Sequence, residues 1–543
     1  MTNYAVHILH EIVSDMMIFG FMAALFFLSL VHNLFNKHIF GQKDPRDVRD
    51  SSTKIFPERH KGNKNSGREK SHNRVLSTSS TTPLDVQLDS ENNIEYDNTI
   101  TGSPEPETLN SGDSMVDDTR QFYLKNISYN PFDGEGMAED LSLVPNLEYY
   151  YNQYNIEIEK FRIETKDGFI LDLLHLKHNE PGMEDVKRYP ILMIHGLLQS
   201  CGAFASTGRE SLAYFMHQAG FDIWLGNNRC GPNPEWNKSK LEKPYWYSEW
   251  DWDMREFVKY DLRALIEEVL ERTGYEKLTL IGHSQGTTQS FLGLINGPEL
   301  YDEPEKFTLV DKLDNFIALA PAIYPGPLLD EKLFVRFMAA TIDNPWVFGQ
   351  KSFIPFMMRM KRLMAGSKPF SFFSYIMFNF MFDWNDKLWE PKLRDRNFLF
   401  SPVYISVNLM RWWITPNRDI IGFKNGSHKL FPDTKRWFPV KESPADSSSS
   451  LNLKSVPSHL NEMRNSAKDF PHIMIFAPKQ DRLVDGERLI NHFINYESRD
   501  IYKIWYIEEY SHLDVLWAKD VIERIGKPII ENMRLPSSKV TKA

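Results

Sequence analysis

Cysteine is nearly absent: the 543 residues contain two, Cys201 and Cys230. They can form one bridge at most, so no disulfide framework holds the chain, and a reducing compartment suits it at least as well as an oxidising one. Metal-ligand spacing is missing as well. His7 and His10 near the N-terminus have no cysteine or carboxylate companions at ligand spacing, and no metal site is expected. Nor is there an excess of positive charge. With 63 Lys and Arg against 73 Asp and Glu the formal net charge is −10, which argues against nucleic acid as a partner. Aromatic residues are scarce only locally: from about Asn36 to Asp118 hardly one follows Phe56, in a stretch rich in Ser, Thr, Asn, Lys and Asp. Such a segment cannot bury enough apolar surface to offset the entropy of ordering, so residues 36–140 are expected to be a disordered tether. A second low-complexity stretch, Ser443 to Ser450 and on to about Asp469, is expected to be a surface insertion. The rest of the chain raises the totals to 42% hydrophobic and 13% aromatic, material for a large core and an apolar binding surface besides.

One apolar run stands near the N-terminus, from Met16 to Val31, and extends through Leu34-Phe35 if His32 and Asn33 lie at an interface. A bilayer is spanned by about 20 such residues, so 12–35 is expected to be a single transmembrane anchor. A cleaved signal peptide normally begins with a basic stretch, whereas Glu11 and Asp15 precede this run with no lysine or arginine. Basic residues follow it, Lys37, Lys43, Arg46 and Arg49 first, and the positive-inside rule then places the downstream chain in the cytosol. The sequons at Asn126, Asn237 and Asn425 stay unmodified in that orientation and become glycosylation acceptors in the opposite one.

The chemistry is carried by Gly282-His283-Ser284-Gln285-Gly286, set between a β-type run, Leu278 to Ile281, and a helical pattern expected to begin near Thr287. This is the form of a nucleophile elbow, in which glycines two residues either side let a sharp turn push the serine hydroxyl out of the backbone. A lone G-x-S-x-G is weak; its surroundings decide. Upstream, the buried-strand pattern Pro190 to Ile194 runs into His195-Gly196-Leu197-Leu198-Gln199, a loop suited to offering backbone amides to an oxyanion. Leu197 is the expected first donor. Gln285, at the positive end of the following helix, is the expected second. Downstream, Ile473 to Phe476 runs into Ala477-Pro478-Lys479-Gln480-Asp481, and Asp481 is the expected acid, with Asp485 a nearby rival. After the strand-like Ile501 to Ile507, Tyr510-Ser511-His512-Leu513-Asp514 supplies His512 as the expected base. Serine, acid, histidine is the chain order of α/β-hydrolases and not of the chymotrypsin or subtilisin types. His195 and His283 flank the site and are expected to pack or orient.

Between the strand-like run Asn315 to Leu319 and the acid-bearing strand lies a stretch from about Pro325 to Val440, placed where α/β-hydrolases carry a cap. It crowds aromatics and methionines, as in Phe353 to Met358, Phe370 to Phe382 and Trp412-Trp413. Most such stripes are core, yet a thin two-sided cap with this much large apolar surface is expected to line a cavity for a bulky, featureless ligand.

These residues resemble a known family. His195 to Ser200, Trp224 to Arg229, Gly282 to Gly286 and His512-Leu513-Asp514 with Trp517-Ala518 look like the acid lipase family of gastric and lysosomal lipases. Within it, Phe380 to Asp386, Arg394 to Pro402 and Gln480 to Arg488 are most similar to fungal membrane-anchored steryl ester hydrolases. The resemblance covers about Leu141 to Pro528. It implies an α/β-hydrolase fold with a mostly parallel central sheet, divided as core 141–325, cap 326–469 and core 470–535. It further implies an ester between sterol and fatty acid as the scissile bond, no cofactor, and a membrane or lipid droplet surface as the place of work. Lipid droplet, endoplasmic reticulum and plasma membrane all fit that role. A triacylglycerol lipase, or a silent lipid-binding or tethering protein, are the alternatives; an intact catalytic set speaks against the second.

Overall fold

The computed structural model describes residues 2–38, 87–88, 94–95, 139–178, 187–240, 248–384, 386–440 and 467–535. Most of the expected tether, Asn126, and the low-complexity stretch up to residue 466 lie outside the described residues.

Nine strands form one sheet: β1 Ile158–Glu164, β2 Phe169–Leu176, β3 Pro190–Ile194, β4 Asp222–Gly226, β5 Glu235–Trp236, β6 Leu278–His283, β7 Leu313–Leu319, β8 His472–Pro478 and β9 Tyr502–Ile507. Their spatial order is β9-β8-β7-β6-β3-β4-β2-β1, with β5 paired to β2. From β9 to β4 every pairing is parallel, and the antiparallel pairs gather at the β2 edge. The sequence explains the division. Strands β3, β6 and β8 are apolar almost throughout and buried at every position, as a sheet covered on both faces requires, while the edge strand β1 alternates buried and open residues. Side chains alternate across the sheet into two cores: Leu192, Leu280, Phe316 and Ile475 pack on one face, Met193, Ile281, Ile317 and Phe476 on the other. The expected α/β-hydrolase architecture is therefore present.

Parallel register brings the carboxyl ends of β3, β6, β7 and β8 to one edge, Ile194 beside Gly282, His283 beside Leu319, and Leu319 beside Phe476. Four loops leave from that edge, and the chain between β7 and β8 rises above it as helices.

The apolar N-terminal run forms α1, Thr2–His38, a helix about 55 Å long. Helix α2, Gln285–Leu300, follows β6 directly. The helices over the sheet include α3 Leu333–Thr341, α4 Pro355–Met364, α5 Lys368–Phe382 and α6 Val407–Ile414. Two have serine caps: Ser367 accepts from the amide of Phe370, and Ser406 from that of Leu409 at 2.8 Å. Asp383 ends α5 in the left-handed conformation, φ +55°.

Helix α1 lies along this helical layer. Ser14, Ile18, Leu25 and Ser29, spaced four, seven and four residues apart, form its buried stripe. Phe21 stacks on Phe334 and Phe337 of α3, with centroids 4.7 and 5.3 Å away; Phe26 meets Phe373 of α5 edge-on at 4.6 Å. Asp15 pairs with Arg359 of α4 at 3.1 Å. Its other face is bare: Met16 is 71% and Phe27 63% exposed, and Leu333 and Leu363 on the helical layer are open as well.

Candidate active site

Ser284 sits between β6 and α2 at φ +50° and ψ −113°, a conformation that side-chain-bearing residues rarely adopt and that persists only where the surroundings impose it. Two glycines make the turn possible. A Cβ on Gly282 would meet the Gly286 carbonyl carbon and oxygen at 2.9 Å, and one on Gly286 would meet the Ile194 carbonyl oxygen at 2.4 Å. The helix begins at Gln285, earlier than the sequence pattern suggests, because Ser284 alone absorbs the change of backbone direction.

Ser284 Oγ lies 2.8 Å from His512 Nε2, and His512 Nδ1 lies 2.6 Å from Asp481 Oδ2. All three side chains are at least 95% buried. The second Asp481 oxygen accepts the amides of Leu483 and Val484 at 2.9 and 3.2 Å, fixing the carboxylate's rotation. Asp485, the rival, instead caps the next helix by accepting the Arg488 amide at 3.0 Å. Asp514 holds the turn that presents His512: one of its oxygens accepts from the Ser511 amide and hydroxyl, the other from Trp389 Nε1 at 2.8 Å.

The loop after β3 places Leu197 at the cavity wall beside Ser284. Among the described residues no acceptor meets the amide of Leu197 or of Gln285. The loop is held by the two flanking histidines. His195 Nε2 accepts the Asn228 amide at 3.2 Å, which leaves its Nδ1–H to donate to the Gly196 carbonyl at 2.9 Å. His283 stands between two neighbours, with Nδ1 2.9 Å from Gln199 Oε1 and Nε2 3.2 Å from the His512 carbonyl. Gln199 Oε1 also accepts the Gly196 amide at 3.1 Å. The neutral ring carries one N–H, so His283 donates to one of these two oxygens and packs against the other, between the loop after β3 and the loop bearing His512. Cys201 and Cys230 are both buried free thiols.

Burial pushes His195 down to about 4, His217 and His472 to about 3, and His283 well below its ordinary value. The unfolded chain takes up these protons first as pH falls below about 6.5, so it binds more protons than the native state and acidification favours unfolding. Stability should be fully present above pH 6.5 and decline toward pH 4, by about 1.4 kcal/mol per pH unit for each such histidine once titration is under way. Urea midpoints at pH 7.5 and 5.0 check this; equal midpoints would contradict the assignment of neutral buried rings.

Above Ser284 and His512 the helical layer closes a cavity of about 100 Å³ whose walls include Val335, Met338, Phe378, Phe382, Met410 and Trp413. Ligand cavities of roughly 300–1,000 Å³ are usual, so a large ligand requires these helices to move apart. Nothing in the sequence pattern marks Trp384 for a role; the structure stacks its ring on His512 with centroids 5.6 Å apart and planes 8° from parallel. Gln199 and Asn228 are equally unmarked in sequence, although both brace the loop after β3. Gln199 meets His283 at the end of β6, and Asn228 meets His195 and Gln289 of α2, partners far apart in sequence that only the folded register brings together.

Two family models match: the partial alpha/beta-hydrolase lipase region over residues 147–208 and the alpha/beta hydrolase fold over residues 189–339. The chain is 56% identical over 547 residues to sterol esterase 2 of Saccharomyces cerevisiae, across 99% of this chain and 100% of that protein. It is 31% identical over 215 residues to gastric triacylglycerol lipase of Rattus norvegicus, across 39% of this chain and 51% of the lipase. To lipase lipl-3 of Caenorhabditis elegans it is 34% identical over 203 residues, across 36% of this chain and 47% of that protein.

Proposed function

Because the chain belongs to the α/β-hydrolase lipase family of sterol esterase 2 and the gastric triacylglycerol lipases, we propose that it hydrolyses steryl esters to free sterol and fatty acid. The observation that carries the reading is Ser284 Oγ at 2.8 Å from His512 Nε2 beneath an apolar roof. His512, oriented by Asp481, takes the Ser284 proton as the hydroxyl oxygen attacks the ester carbonyl; the amides of Leu197 and Gln285 receive the oxyanion. Protonated His512 then delivers its proton to the departing sterol oxygen. Water, activated by the same histidine, cleaves the acyl-enzyme to fatty acid. The chemistry calls for no cofactor.

The roof fits a ligand recognised by shape. Its methionines and phenylalanines adapt to a bulky apolar body and offer few polar groups. Residues 326–469 act as the cap in this reading, over a core formed by 141–325 and 470–535. Ile12–Phe35, long and apolar enough to cross a bilayer, is the anchor, and the catalytic part faces the cytosol. Absence of any endoglycosidase-sensitive mass shift at Asn126, Asn237 and Asn425 is the expected outcome in cells; a shift would reverse the topology.

The 31% identity with a gastric triacylglycerol lipase supports a second reading, in which glycerol esters are preferred. Hydrolysis of cholesteryl oleate and triolein in the same detergent micelles, by the full chain and by Ser284→Ala, separates the two. Faster release from cholesteryl oleate is expected. Faster release from triolein would establish the lipase instead.

A further inference from the structure

Trp384 is not part of the serine, acid, histidine set, yet its ring lies parallel to that of His512 and lines the same cavity as Ser284. The ring is held from behind. Phe382 stacks against it with centroids 4.4 Å apart, and Phe378 at 5.9 Å. Asn379 donates its side-chain amide to the Trp384 carbonyl. Asp383, the preceding residue, accepts from both Lys332 and Arg482, and Arg482 directly follows the carboxylate Asp481 that orients His512. The ring's position over the imidazole is therefore tied to the acid loop as well as to α5.

Two features go beyond a packing role. The indole Nε1–H is buried and meets no acceptor among the described residues, although buried donors are nearly always satisfied. A phenylalanine would fill the same wall without stranding a donor. In addition, His512 is the one group that becomes cationic during ester cleavage, and an aromatic face carries a negative quadrupole that attracts a cation. Attraction that appears only as the charge develops lowers the barrier and not merely the energy of the bound substrate.

We propose that Trp384 is a catalytic residue contributed by the cap: its ring face stabilises the His512 imidazolium, and its indole N–H donates a hydrogen bond to the reacting ester. The inference rests on the triad mechanism above. The proton still passes from Ser284 to His512 to the departing alcohol; Trp384 gives up none.

The test uses the full chain and two variants, with p-nitrophenyl butyrate as a small ester insensitive to sterol fit. Trp384→Phe keeps a ring and loses the N–H; Trp384→Leu loses both. Loss of the ring should lower the acid-limb pKa of kcat/KM, because His512⁺ loses its stabilising face, and should reduce kcat about three- to tenfold beyond the Phe variant. Trp384→Phe should keep the acid limb and lose kcat several-fold. If both variants retain the native urea midpoint, acid limb and kcat, with only KM changed, Trp384 is a wall and the proposal fails. Lack of hydrolysis by the native chain itself would overturn the triad mechanism instead, so the two failures are distinguishable.

Discussion

Ser284→Ala is expected to lower kcat for ester hydrolysis by roughly three orders of magnitude or more, with folding stability changed by less than about 1 kcal/mol. The two effects separate because of how the residue is held. Its backbone is fixed by neighbours, the amide donating to the Leu319 carbonyl at 3.0 Å and the carbonyl accepting from the Thr287 amide at 2.9 Å. The hydroxyl makes one side-chain contact, with His512, and alanine fits the same left-handed backbone no worse than serine. The residual rate comes from the oxyanion amides and from substrate positioning, which survive the change. Product release from cholesteryl oleate, together with a urea titration, measures both quantities. A variant retaining a tenth of the native rate would mean that another nucleophile does the work.

The second large effect is structural. Arg229 is fully buried and clasped by two carboxylates: Asp261 accepts from its Nε, Nη2 and backbone amide at 3.0, 2.8 and 2.8 Å, and Asp167 from Nη1 at 2.8 Å. Phe169 covers the guanidinium with its ring 4.1 Å away. Asp261→Ala leaves a buried cation short of one partner and removes three hydrogen bonds, a loss of about 3–5 kcal/mol. The damage should reach the chemistry. Asn228, next to Arg229, donates its amide to His195 and exchanges side-chain hydrogen bonds with Gln289, so loosening this loop loosens the Leu197 loop through His195. A lower urea midpoint and a fall in kcat larger than the change in KM are expected. A fall in unfolding free energy of less than about 1 kcal/mol would show that Asp167 alone suffices.

The site was legible in sequence where it depends on strand ends. Ser284, Asp481 and His512 each follow an apolar run closely, and parallel pairing brings such ends to one edge whatever lies between them. Trp384 was not legible in that way. It lies 128 residues before His512, two residues past an aromatic helix whose pattern reads equally as core, and only the cap's path over the sheet lays it on the imidazole. Helix α1 shows the same limit: its hydropathy marks a membrane segment, but hydropathy cannot reveal that Ser14, Ile18, Leu25 and Ser29 are already spoken for by the cap.

That packing has a practical edge for anyone shortening the protein to gain solubility. A truncation starting at residue 139 removes a greasy appendage and at the same time strips the lining from Phe334, Phe337 and Phe373, leaving a wet apolar furrow across the roof of the active site. Such a product should aggregate, or pair with itself through the furrow, more readily than the full chain in detergent. Deleting the helix thus exchanges one exposed apolar surface for another.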